Sequence, residues 1–368
     1  MSLTILGIAS SSPAHRIAQS DAADLATTFA NATPGHERAL AAIYRQTRIR
    51  SRGSVLLEAP GQAAFAQTFF PPADATRPGG PTTAERMARY EAEAGPLAID
   101  AASEALARSP VGTADITHLV TCSCTGFSNP GVDIQIMRGL GLSPTVARTH
   151  VGFMGCHGGF NALRVAEAFA ASDPATVVLV TCVELCSLHF QYGSRSDLVV
   201  ANSIFADGAA ALVGAGPGRA HVGRDGGWSL ERQWSALLPD SLHDMGWSIG
   251  DHGFEMGLSA RVPAVIGDHV RTIVDGALAS AGLTAAEVGS WAVHPGGPRV
   301  LAAVQDALDL PATACDASRG VLADHGNMSS ATIFFILERM LDHTTPSPCV
   351  ALAFGPGLTV EMALFTRR

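Results

Sequence analysis

Apolar residues along this chain fall into two kinds of segment, which alternate from the N-terminus onwards. Short, nearly continuous apolar runs, such as TVVLVTCVE at 176–184, are typical of strands buried on both faces. Longer segments with apolar residues three or four positions apart, such as 158–172, are typical of amphipathic helices. In the first half the pattern predicts strands at 1–10, 116–123, 147–153, 176–184 and 205–216, and helices at 20–46, from Thr82 onwards, 131–141 and 158–172.

The second half repeats this alternation. Its predicted helices are 259–282, 298–310 and 329–341, and its predicted strands are 290–297, 349–357 and 358–365. Because both halves place strand, glycine bend and helix in the same order, we expect an internal duplication with a join near 215–225. The stretch at 226–257 is predicted to be irregular, and 71–82 is a Pro/Gly-rich loop. The pattern indicates an α/β fold whose buried sheets are covered by helices.

Composition narrows the classes of function. The 368 residues are 47% apolar and 15% charged, which indicates a large buried core. No apolar run reaches the roughly 18 residues of a membrane span, and the N-terminus lacks a basic signal-peptide region, so we expect a cytoplasmic protein without a membrane partner. A net charge of −9 argues against nucleic acid as a partner. All 24 basic residues are arginine, which excludes lysine Schiff-base chemistry.

The chain has seven cysteines, and this odd number without a signal peptide favours reduced thiols. The spacing of Cys182, Cys186 and His189 could be considered for zinc. Cys182 ends a buried apolar run, however, and no second ligand pair has metal spacing. We therefore predict no metal site and no prosthetic group.

Cys156 is the strongest candidate for a nucleophile. It lies in VGFMGCHGGF, at the junction of a predicted strand and a predicted helix, with glycine at 155, 158 and 159. A helix N-terminus is expected to lower the pKa of a thiol, and the glycines leave space for a substrate. The alternative is a buried structural cysteine.

His294 and Asn327 also lie at glycine-containing bends that precede helices, in WAVHPGGP and DHGNMSSAT. We expect His294 at the place in the second half that corresponds to Cys156, where it could accept the thiol proton. Asn327 could be a helix N-cap, although Ser329 and Ser330 are also available as caps. Alternatively, its amide donates a hydrogen bond to an oxyanion or enolate oxygen.

A Cys, His and Asn set suits two reactions. In a cysteine hydrolase the Asn orients the His. In a decarboxylating acyl condensation, His and Asn both donate hydrogen bonds to the thioester carbonyl and stabilise the enolate that remains after CO₂ is lost. No carboxylate is obviously placed as a further catalytic group, and we favour the condensation.

Five motifs, in order along the chain, resemble the type III polyketide synthases, the chalcone and stilbene synthase family of the thiolase superfamily. They are GCHGG at 155–159, IFADGAAALV at 204–213, HPGGP at 294–298, GNMSSA at 326–331 and AFGPGLTVE at 353–361. Overall length and the short loop at 71–82 are more similar to bacterial members. The resemblance implies a five-layered αβαβα fold of two duplicated halves, 1–218 with the nucleophile and 219–368 with the His and Asn.

The resemblance also implies roles for individual residues. Cys156 would carry the acyl chain, and His294 and Asn327 would activate it and promote malonyl decarboxylation. Phe205 would stand between a CoA tunnel and the cavity, and either Met256 or Phe254 would be the second gating residue. Substrate-cavity positions are implied for Cys124, Thr125, Asn129, His189, Trp247, Ser329, Gly355 and Pro356.

Three of these implications concern specificity and partners. Asn129 would reach across a homodimer interface into the neighbouring cavity. Trp247 stands near a position that is often glycine, and its volume would favour small starters. CoA phosphates would meet the arginines of RQTRIRSR, unless this segment is only a solvated basic stretch; these arginines are Arg45, Arg48, Arg50 and Arg52.

The resemblance therefore predicts iterative decarboxylative condensation of malonyl-CoA onto an acyl-CoA starter held on Cys156, followed by cyclisation to a pyrone or phenolic product. The CoA thioesters are substrates, and no cofactor is implied. One alternative is a ketoacyl synthase III-like enzyme that condenses once on an acyl carrier protein. A second is a non-catalytic thiolase-fold subunit that only binds.

Overall fold

A computed structural model describes residues 2–30, 34–58, 67–72, 78–219 and 227–367. The strands are β1 Leu3–Ser11, β2 Arg16–Ala18, β3 Ser51–Gly53, β4 His118–Ser123, β5 Ala147–Gly152, β6 Val177–Leu185, β7 Asp207–Ala215, β8 Trp228–Leu237, β9 Met245–Gly250, β10 Gly253–Leu258, β11 Ser290–Val293, β12 Cys349–Gly355 and β13 Thr359–Arg367. The helices are α1 Gln19–Ala30, α2 Pro34–Gln46, α3 Thr83–Ala107, α4 Val132–Leu140, α5 Gly158–Ser172, α6 Ser196–Ile204, α7 Val262–Ser280, α8 Pro298–Ala307, α9 Asp316–His325 and α10 Thr332–Met340.

The two halves repeat one strand order. In the first half it is β1-β7-β6-β4, with β5 added at the edge, and in the second half it is β8-β13-β12-β11. The pairings also correspond, because β4–β6 and β11–β12 are parallel while β1–β7, β6–β7, β8–β13 and β12–β13 are antiparallel. The added edge strand β5 pairs with β4 in parallel. Leu3 pairs with Leu230 and Thr4 with Ser229, so β1 and β8 join the halves into one mixed sheet of nine strands within the described residues.

Alternate residues of the first-half strands enter two different cores. Along β6, Val178 and Val180 pack with α5 and α10, whereas Leu179 and Val183 pack with α3 on the other face. This alternation follows from the two-residue repeat of a strand that is covered on both sides.

The second half is built in the same way. Ala351 and Ala353 of β12 face α5 and α10, whereas Val350 and Leu352 face α7 and α8. The layers are therefore α3, the first-half strands, α5 with α10, the second-half strands, and α7 with α8. The predicted five-layered αβαβα fold is confirmed.

Two predictions about elements are wrong. The helix predicted at 20–46 is two helices, and the second begins at Pro34, a residue suited to the first turn of a helix but not to its interior. The stretch at 226–257 is not irregular, because it contains β8 and the β9–β10 hairpin. Pairing of β8 with β13 stabilises that strand, and such a long-range contact leaves no local pattern.

Some features lie outside these predictions or outside the described residues. The short strands β2 and β3 and the helices α6 and α9 were not predicted. Residues 73–77 of the predicted loop and residues 220–226 at the predicted join lie outside the described residues. No helix in the described part of the chain combines the length and apolarity that a bilayer span requires.

Candidate active site

Cys156 lies in a single tight turn, Gly155–His157, between β5 and α5, and its side chain is buried. Gly155 has a φ of +73°, and a Cβ there would stand 2.2 Å from Cδ of Pro356. Only glycine meets both conditions without strain. The close approach brings the 355–358 segment directly beside the cysteine.

Asn327 is oriented by two hydrogen bonds to its carboxamide oxygen. Oδ1 accepts from the backbone N–H of Ser329 at 2.8 Å and from Oγ1 of Thr332 at 3.4 Å. The amide Nδ2 consequently faces the other way and lies 4.0 Å from Sγ of Cys156. Asn327 is not the N-cap residue of α10, which is Ala331, but its oxygen accepts hydrogen bonds from the segment that leads into this helix and its amide faces the sulfur.

His294 follows β11 and is fully buried, and it lines one small pocket with Cys156 and Asn327. Its backbone N–H donates to the carbonyl of Leu352 at 2.8 Å. Neither ring nitrogen has a hydrogen-bond partner among the described residues. Because buried polar atoms are nearly always paired, two orphaned nitrogens indicate a position that a substrate oxygen would satisfy.

The ionisation of the pair differs from the expectation for Cys156. Burial raises the pKa of Cys156 to about 12, although hydrogen bonds from Ser329 and Asn327 act in the opposite direction. Burial also lowers the pKa of His294 to about 3, with a smaller contribution from His157. The expected lowering of the thiol pKa at the helix N-terminus is therefore wrong, because desolvation outweighs it. Burial thus favours the neutral form of each group taken separately.

The duplication also corrects the expected correspondence between Cys156 and His294. Cys156 precedes α5 and Asn327 precedes α10, and these helices together form the middle layer. His294 follows β11, whose counterpart by strand order is β4. The residue that corresponds to His294 therefore lies just after β4, near Cys124, and Cys156 corresponds to Asn327.

Cys156 also lines a larger cavity, which His294 does not line. Nine of the residues expected at the substrate cavity line it, namely Cys124, Thr125, His189, Phe205, Trp247, Phe254, Met256, Ser329 and Pro356. Gly355 precedes Pro356 in the chain, and its α-carbon lies close to the ring of His157. Asn129 is not among the residues that line the cavity of its own chain.

The geometry separates the two candidates for the second gating residue. Phe205 and Met256 line both the small pocket and the larger cavity. Phe254 lines only the larger cavity, where it stacks on His189 with ring centroids 4.2 Å apart. Met256 therefore has the position between the two spaces, and Phe254 belongs to the wall.

The polar atoms of Trp247 and His189 in that wall are all hydrogen-bonded to the backbone. Nε1 of Trp247 donates to the carbonyl of Cys124 at 2.8 Å. Nε2 of His189 donates to the carbonyl of Thr125 at 2.6 Å, and Nδ1 accepts from the backbone N–H of Phe254 at 2.9 Å. Burial lowers the pKa of His189 to about 3, so the ring is neutral. With both nitrogens engaged, His189 has no free nitrogen to offer a zinc ion beside Cys182 and Cys186.

The four arginines expected to meet CoA have different surroundings. Arg52 Nη1 donates to the carbonyls of Asn202 at 2.7 Å and Phe205 at 2.6 Å, so this guanidinium supports the cavity wall. Arg50 forms an ion pair with Asp324. Arg45 and Arg48 are exposed to solvent. The expectation that all four arginines are available to a phosphate is therefore too broad.

Sequence reasoning missed one part of the cavity wall. The cavity is also lined by residues of α1 and α6, including Ala22, Ala26, Phe29 and Leu198. Their only signal in the sequence is an apolar helix face, and such a face indicates a core as readily as a cavity.

Comparison with known proteins identifies the family. The model of the N-terminal domain of chalcone and stilbene synthases matches residues 2–217, and the model of their C-terminal domain matches residues 229–367. The chain belongs to the chalcone and stilbene synthase family. It is a type III polyketide synthase, an acyltransferase of the decarboxylating, condensing kind.

Curated relatives of this synthase agree. It is 35% identical to the alpha-pyrone synthesis polyketide synthase-like Pks18 of Mycobacterium tuberculosis, over 98% of this chain and 90% of that protein. It is 38% identical to 1,3,6,8-tetrahydroxynaphthalene synthase of Streptomyces peucetius subsp. caesius, over 73% of this chain and 72% of that one.

Solved structures of the family superimpose closely on this synthase. PKS-I from the brown alga Ectocarpus siliculosus has a TM-score of 0.90 at 30% identity, covering 100% of this chain and 99% of that one. The C-terminal type III polyketide synthase domain of Steely1 from Dictyostelium has a TM-score of 0.85 at 27% identity, with the same coverage. The predicted resemblance and reaction class are confirmed.

Proposed function

We propose that this synthase extends an acyl-CoA starter with malonyl-CoA while the growing chain is held on Cys156, with His294 and Asn327 as its catalytic partners. One observation carries the assignment of these residues. Three separate segments bring a buried thiol, an imidazole with two orphaned nitrogens and an amide donor into one pocket, with Nδ2 of Asn327 4.0 Å from Sγ.

The first step is acyl transfer. Sγ of Cys156 attacks the carbonyl carbon of the starter thioester while the thiol proton passes to His294. The C–S bond to CoA breaks, and the CoA thiolate takes the proton from the imidazolium. His294 returns to its neutral form, which burial favours.

The second step is decarboxylation and condensation. Malonyl-CoA places its thioester oxygen against His294 and Asn327, whose N–H groups donate to it. The C–C bond to the carboxylate breaks, CO₂ leaves, and the electron pair forms the enolate without any base. The enolate attacks the Cys156 thioester, and the cysteine thiolate leaves, which gives an extended chain esterified to the CoA of the extender. The Cys156 thiolate then attacks the thioester carbonyl of this chain, the C–S bond to CoA breaks, and CoA leaves as a thiolate that takes up a proton. The chain on Cys156 is ready for further rounds before it cyclises to a pyrone or phenolic ring.

Product analysis tests this proposal. The synthase is incubated with a panel of acyl-CoAs and either malonyl-CoA or malonyl acyl carrier protein, and products are identified by mass. We expect products extended more than once from malonyl-CoA, and none from a Cys156→Ala variant. A product extended once and only from the carrier protein would favour the ketoacyl synthase alternative. Failure of acyl-CoA to acylate Cys156 would favour the non-catalytic subunit.

We also propose a homodimer that forms through the edge of the sheet at β5. This strand ends the strand order within the described residues, so one of its backbone edges is open. Phe127, Phe153 and Met154 beside it are 55%, 38% and 37% exposed. An apolar patch at an open sheet edge is typical of a surface that binds a second copy of the chain. Asn129 would then reach into the cavity of that second copy.

We further propose which arginines meet the CoA phosphates. Arg45 and Arg48 are exposed and are the candidates to bind the CoA phosphates. Arg50 could bind a phosphate only if it gave up its ion pair with Asp324. The division of the chain at 218 and 219 and the cytoplasmic location remain predictions.

A further inference from the structure

His157 follows Cys156 in the chain, and none of the condensation steps uses it. It ends the turn Gly155–His157 and is buried. Nε2 of its ring is hydrogen-bonded to Oγ1 of Thr359, the first residue of β13, and Nδ1 is hydrogen-bonded at 2.9 Å to the amide of Asn161 in α5. The ring therefore ties the turn that contains the nucleophile to a strand of the second half.

The partners of the ring determine which nitrogen carries the proton when the ring is neutral. In one orientation of its amide, Asn161 donates from Nδ2 to Nδ1 of His157 at 2.9 Å, and its Oδ1 accepts from Nη1 of Arg164 at 3.2 Å. Nδ1 is then an acceptor, so the proton lies on Nε2, which donates to Oγ1 of Thr359. This oxygen donates in turn to the carbonyl of Pro356 at 3.4 Å.

These hydrogen bonds end at residues that touch both sides of the nucleophile turn. Pro356 lies so close to Gly155 that a Cβ there would stand 2.2 Å from its Cδ. Gly355 lies equally close to the ring of His157, where a Cβ would stand 2.2 Å from Cδ2. Cys156 is the residue between these two contacts, so the hydrogen bonds of His157 help to determine where Sγ lies.

The same partners can hold a second proton on the ring. In the other orientation of the Asn161 amide, Oδ1 lies 2.9 Å from Nδ1 of His157 and accepts from an N–H there. Nδ2 then donates to the buried carboxylate of Glu361 at 3.4 Å, with which Arg164 forms an ion pair. Protonation of His157 therefore requires rotation of one amide, and the ring keeps both of its hydrogen bonds.

The groups around the ring set how readily it takes that proton. Burial opposes the imidazolium most strongly, and Arg164 of α5 also opposes it. The hydrogen bond to Asn161 and the carboxylate of Glu361 in β13 favour it. Burial prevails and lowers the pKa of His157 from its ordinary value, so the ring is neutral at neutral pH and becomes charged only in acidic solution.

A charge on His157 acts on His294 across the end of β12. The backbone N–H of His294 donates to the carbonyl of Leu352, and the ring of His157 lies against Gly355, so both histidines contact the last four residues of this strand. His157 accordingly contributes to the lowered pKa of His294. An imidazolium at His157 opposes a second imidazolium at His294, and the thiol of Cys156 then loses its proton acceptor.

We propose that His157 is a positioning residue for the condensation, which holds the Cys156 turn in place when it is neutral and prevents His294 from accepting the thiol proton when it is protonated. The proposal rests on the proposed roles of Cys156 and His294. His157 lines neither the small pocket nor the larger cavity, so it acts through these two residues and not on the substrate.

Substitutions at His157 test the positioning role. His157→Gln offers one donor and one acceptor, as the neutral ring does, whereas His157→Phe keeps the bulk and loses both hydrogen bonds. At about pH 8 we expect His157→Phe to lower kcat for condensation and the rate of Cys156 labelling by iodoacetamide by about tenfold or more. KM for malonyl-CoA should change little, and His157→Gln should recover most of both rates. Thr359→Val, which removes only the partner of Nε2, should be slowed in the same direction as His157→Phe.

The dependence of kcat/KM on pH tests the effect of the charge. In the wild type, kcat/KM should fall as pH is lowered below the usual histidine pKa of about 6.5. His157→Gln does not titrate, so its acid limb should move to lower pH. Asn161→Asp places a carboxylate against Nδ1 and raises the pKa of His157, so its acid limb should move to higher pH. Asp207 and Glu184, whose pKa values of about 6 and about 7 also lie near this range, are present in all three proteins.

His118→Gln is the matched control. The ring of His118 is also hydrogen-bonded to a threonine hydroxyl, that of Thr117 at 2.8 Å, and burial also lowers its pKa. His118 begins β4, whereas the active site lies beyond the other end of that strand. This variant should keep the kcat, the labelling rate and the acid limb of the wild type.

The outcomes separate the two parts of the proposal. Wild-type kcat and labelling in a folded His157→Phe protein overturn the positioning role, and Thr359→Val decides this point if His157→Phe does not fold. An identical acid limb in the wild type, His157→Gln and Asn161→Asp overturns the effect of the charge. Absence of condensation by the wild type at every pH would instead overturn the proposed function, whereas the labelling of Cys156 would still report on His157.

Discussion

At the scale of single residues, the reactivity of the site depends on two buried groups whose charged forms are both disfavoured. The pKa of Cys156 is raised to about 12 and that of His294 is lowered to about 3 by burial. A thiolate alone or an imidazolium alone is therefore rare at neutral pH. Formed together they stabilise each other, because opposite charges attract strongly in a dry pocket. We therefore expect the thiolate of Cys156 to form only together with an imidazolium at His294, by proton transfer between them.

Removal of His294 should therefore slow the alkylation of Cys156. In His294→Ala the thiol loses its proton acceptor, and we expect the rate of Cys156 labelling by iodoacetamide at neutral pH to fall about 10²-fold, the usual scale for losing a general base. Labelling is followed on the Cys156 peptide by mass spectrometry. Cys315 and Cys349, both buried away from the cavity, serve as internal references. Equal labelling of Cys156 in both proteins would show that His294 does not take the proton.

Asn327 should matter for decarboxylation more than for folding. Asn327→Ala removes the Nδ2 donor, and we expect release of CO₂ from malonyl-CoA to fall by about 10²-fold or more. Asn327→Asp is the matched variant, since it keeps an oxygen that accepts from Ser329 N–H but has no amide donor. It should be folded and equally slow. Decarboxylation at the wild-type rate in Asn327→Asp would remove the donor from the mechanism.

Glu184 makes a pH-dependent contribution to stability. The carboxylate is buried and accepts from the backbone N–H of Cys124 at 3.0 Å and from Oγ1 of Thr125 at 2.8 Å. Burial outweighs these bonds and raises the pKa of Glu184 to about 7. A raised pKa means that the folded state holds the proton more tightly than the unfolded state. Its stabilising contribution is therefore complete at low pH and is lost as pH rises through about 7.

The melting temperature across pH measures this contribution. Between about pH 5.5 and pH 8.5 we expect the wild-type Tm to fall by several degrees more than that of Glu184→Gln, whose side chain has the same shape and does not titrate. Other groups that titrate in this range are common to both proteins, so the difference isolates Glu184. Parallel curves would mean that Glu184 ionises equally in both states.

At the scale of elements, the site lies where the N-terminal ends of two helices, which are equivalent in the duplicated halves, come together. Cys156 and Asn327 precede α5 and α10, the paired helices of the middle layer, and His294 joins them from the end of β11. The sequence could identify these three residues because each lies in a local glycine bend with its own motif. It could not place Ala26 or Phe29 at a cavity, because an apolar helix face has the same pattern in a core.

The errors in the predicted fold also concern features that depend on contacts between distant parts of the chain and leave no local sequence pattern. Strands β6 and β12 are continuous apolar runs, and their pattern sufficed to predict them. β8 has a mixed pattern and forms because β13 pairs along its length, which only the folded chain provides. The wrong direction for the pKa of Cys156 has a similar origin, since its desolvation depends on residues far away in sequence.

The last residue of β12, Gly355, should be intolerant of an added side chain. A Cβ at Gly355 would lie 2.2 Å from Cδ2 of His157, the residue next to Cys156, whose ring also hydrogen-bonds Thr359 and Asn161. In Gly355→Ala the ring of His157 must move, and the turn Gly155–His157 that contains Cys156 is displaced with it. We expect condensation to fall about tenfold or more, since small displacements of a reacting group are costly.

Gly246→Ala is the control for this substitution. Gly246 is also a strand glycine, in β9, but a Cβ there would meet nothing within 4 Å. It should retain activity and melting temperature close to those of the wild type. Equal activity of the Gly355 and Gly246 variants would mean that the contact with His157 does not position the cysteine.

At the scale of the whole molecule, the open sheet edge at β5, where we propose that the dimer forms, lies close to the active site. The strand runs directly into the Cys156 turn, and Phe153 and Met154 lie between the two. Phe127 is 55% exposed and stacks on Phe254 of the cavity wall with ring centroids 6.1 Å apart. A second copy that covers this patch would therefore also cover one side of the substrate cavity.

A charge at Phe127 should dissociate the dimer. We expect the wild type to sediment as a dimer, and Phe127→Asp to sediment as a monomer at micromolar concentration, because a carboxylate buried in an apolar interface loses its hydration without a partner. Ala264→Asp, at an exposed position of the outer helix α7, is the control and should remain dimeric. A monomeric wild type, or a Phe127→Asp protein as dimeric as the control, would place any interface elsewhere. Monomeric Phe127→Asp should also lose activity, since its cavity would stand open beside Cys156 and admit the water that condensation chemistry has to exclude.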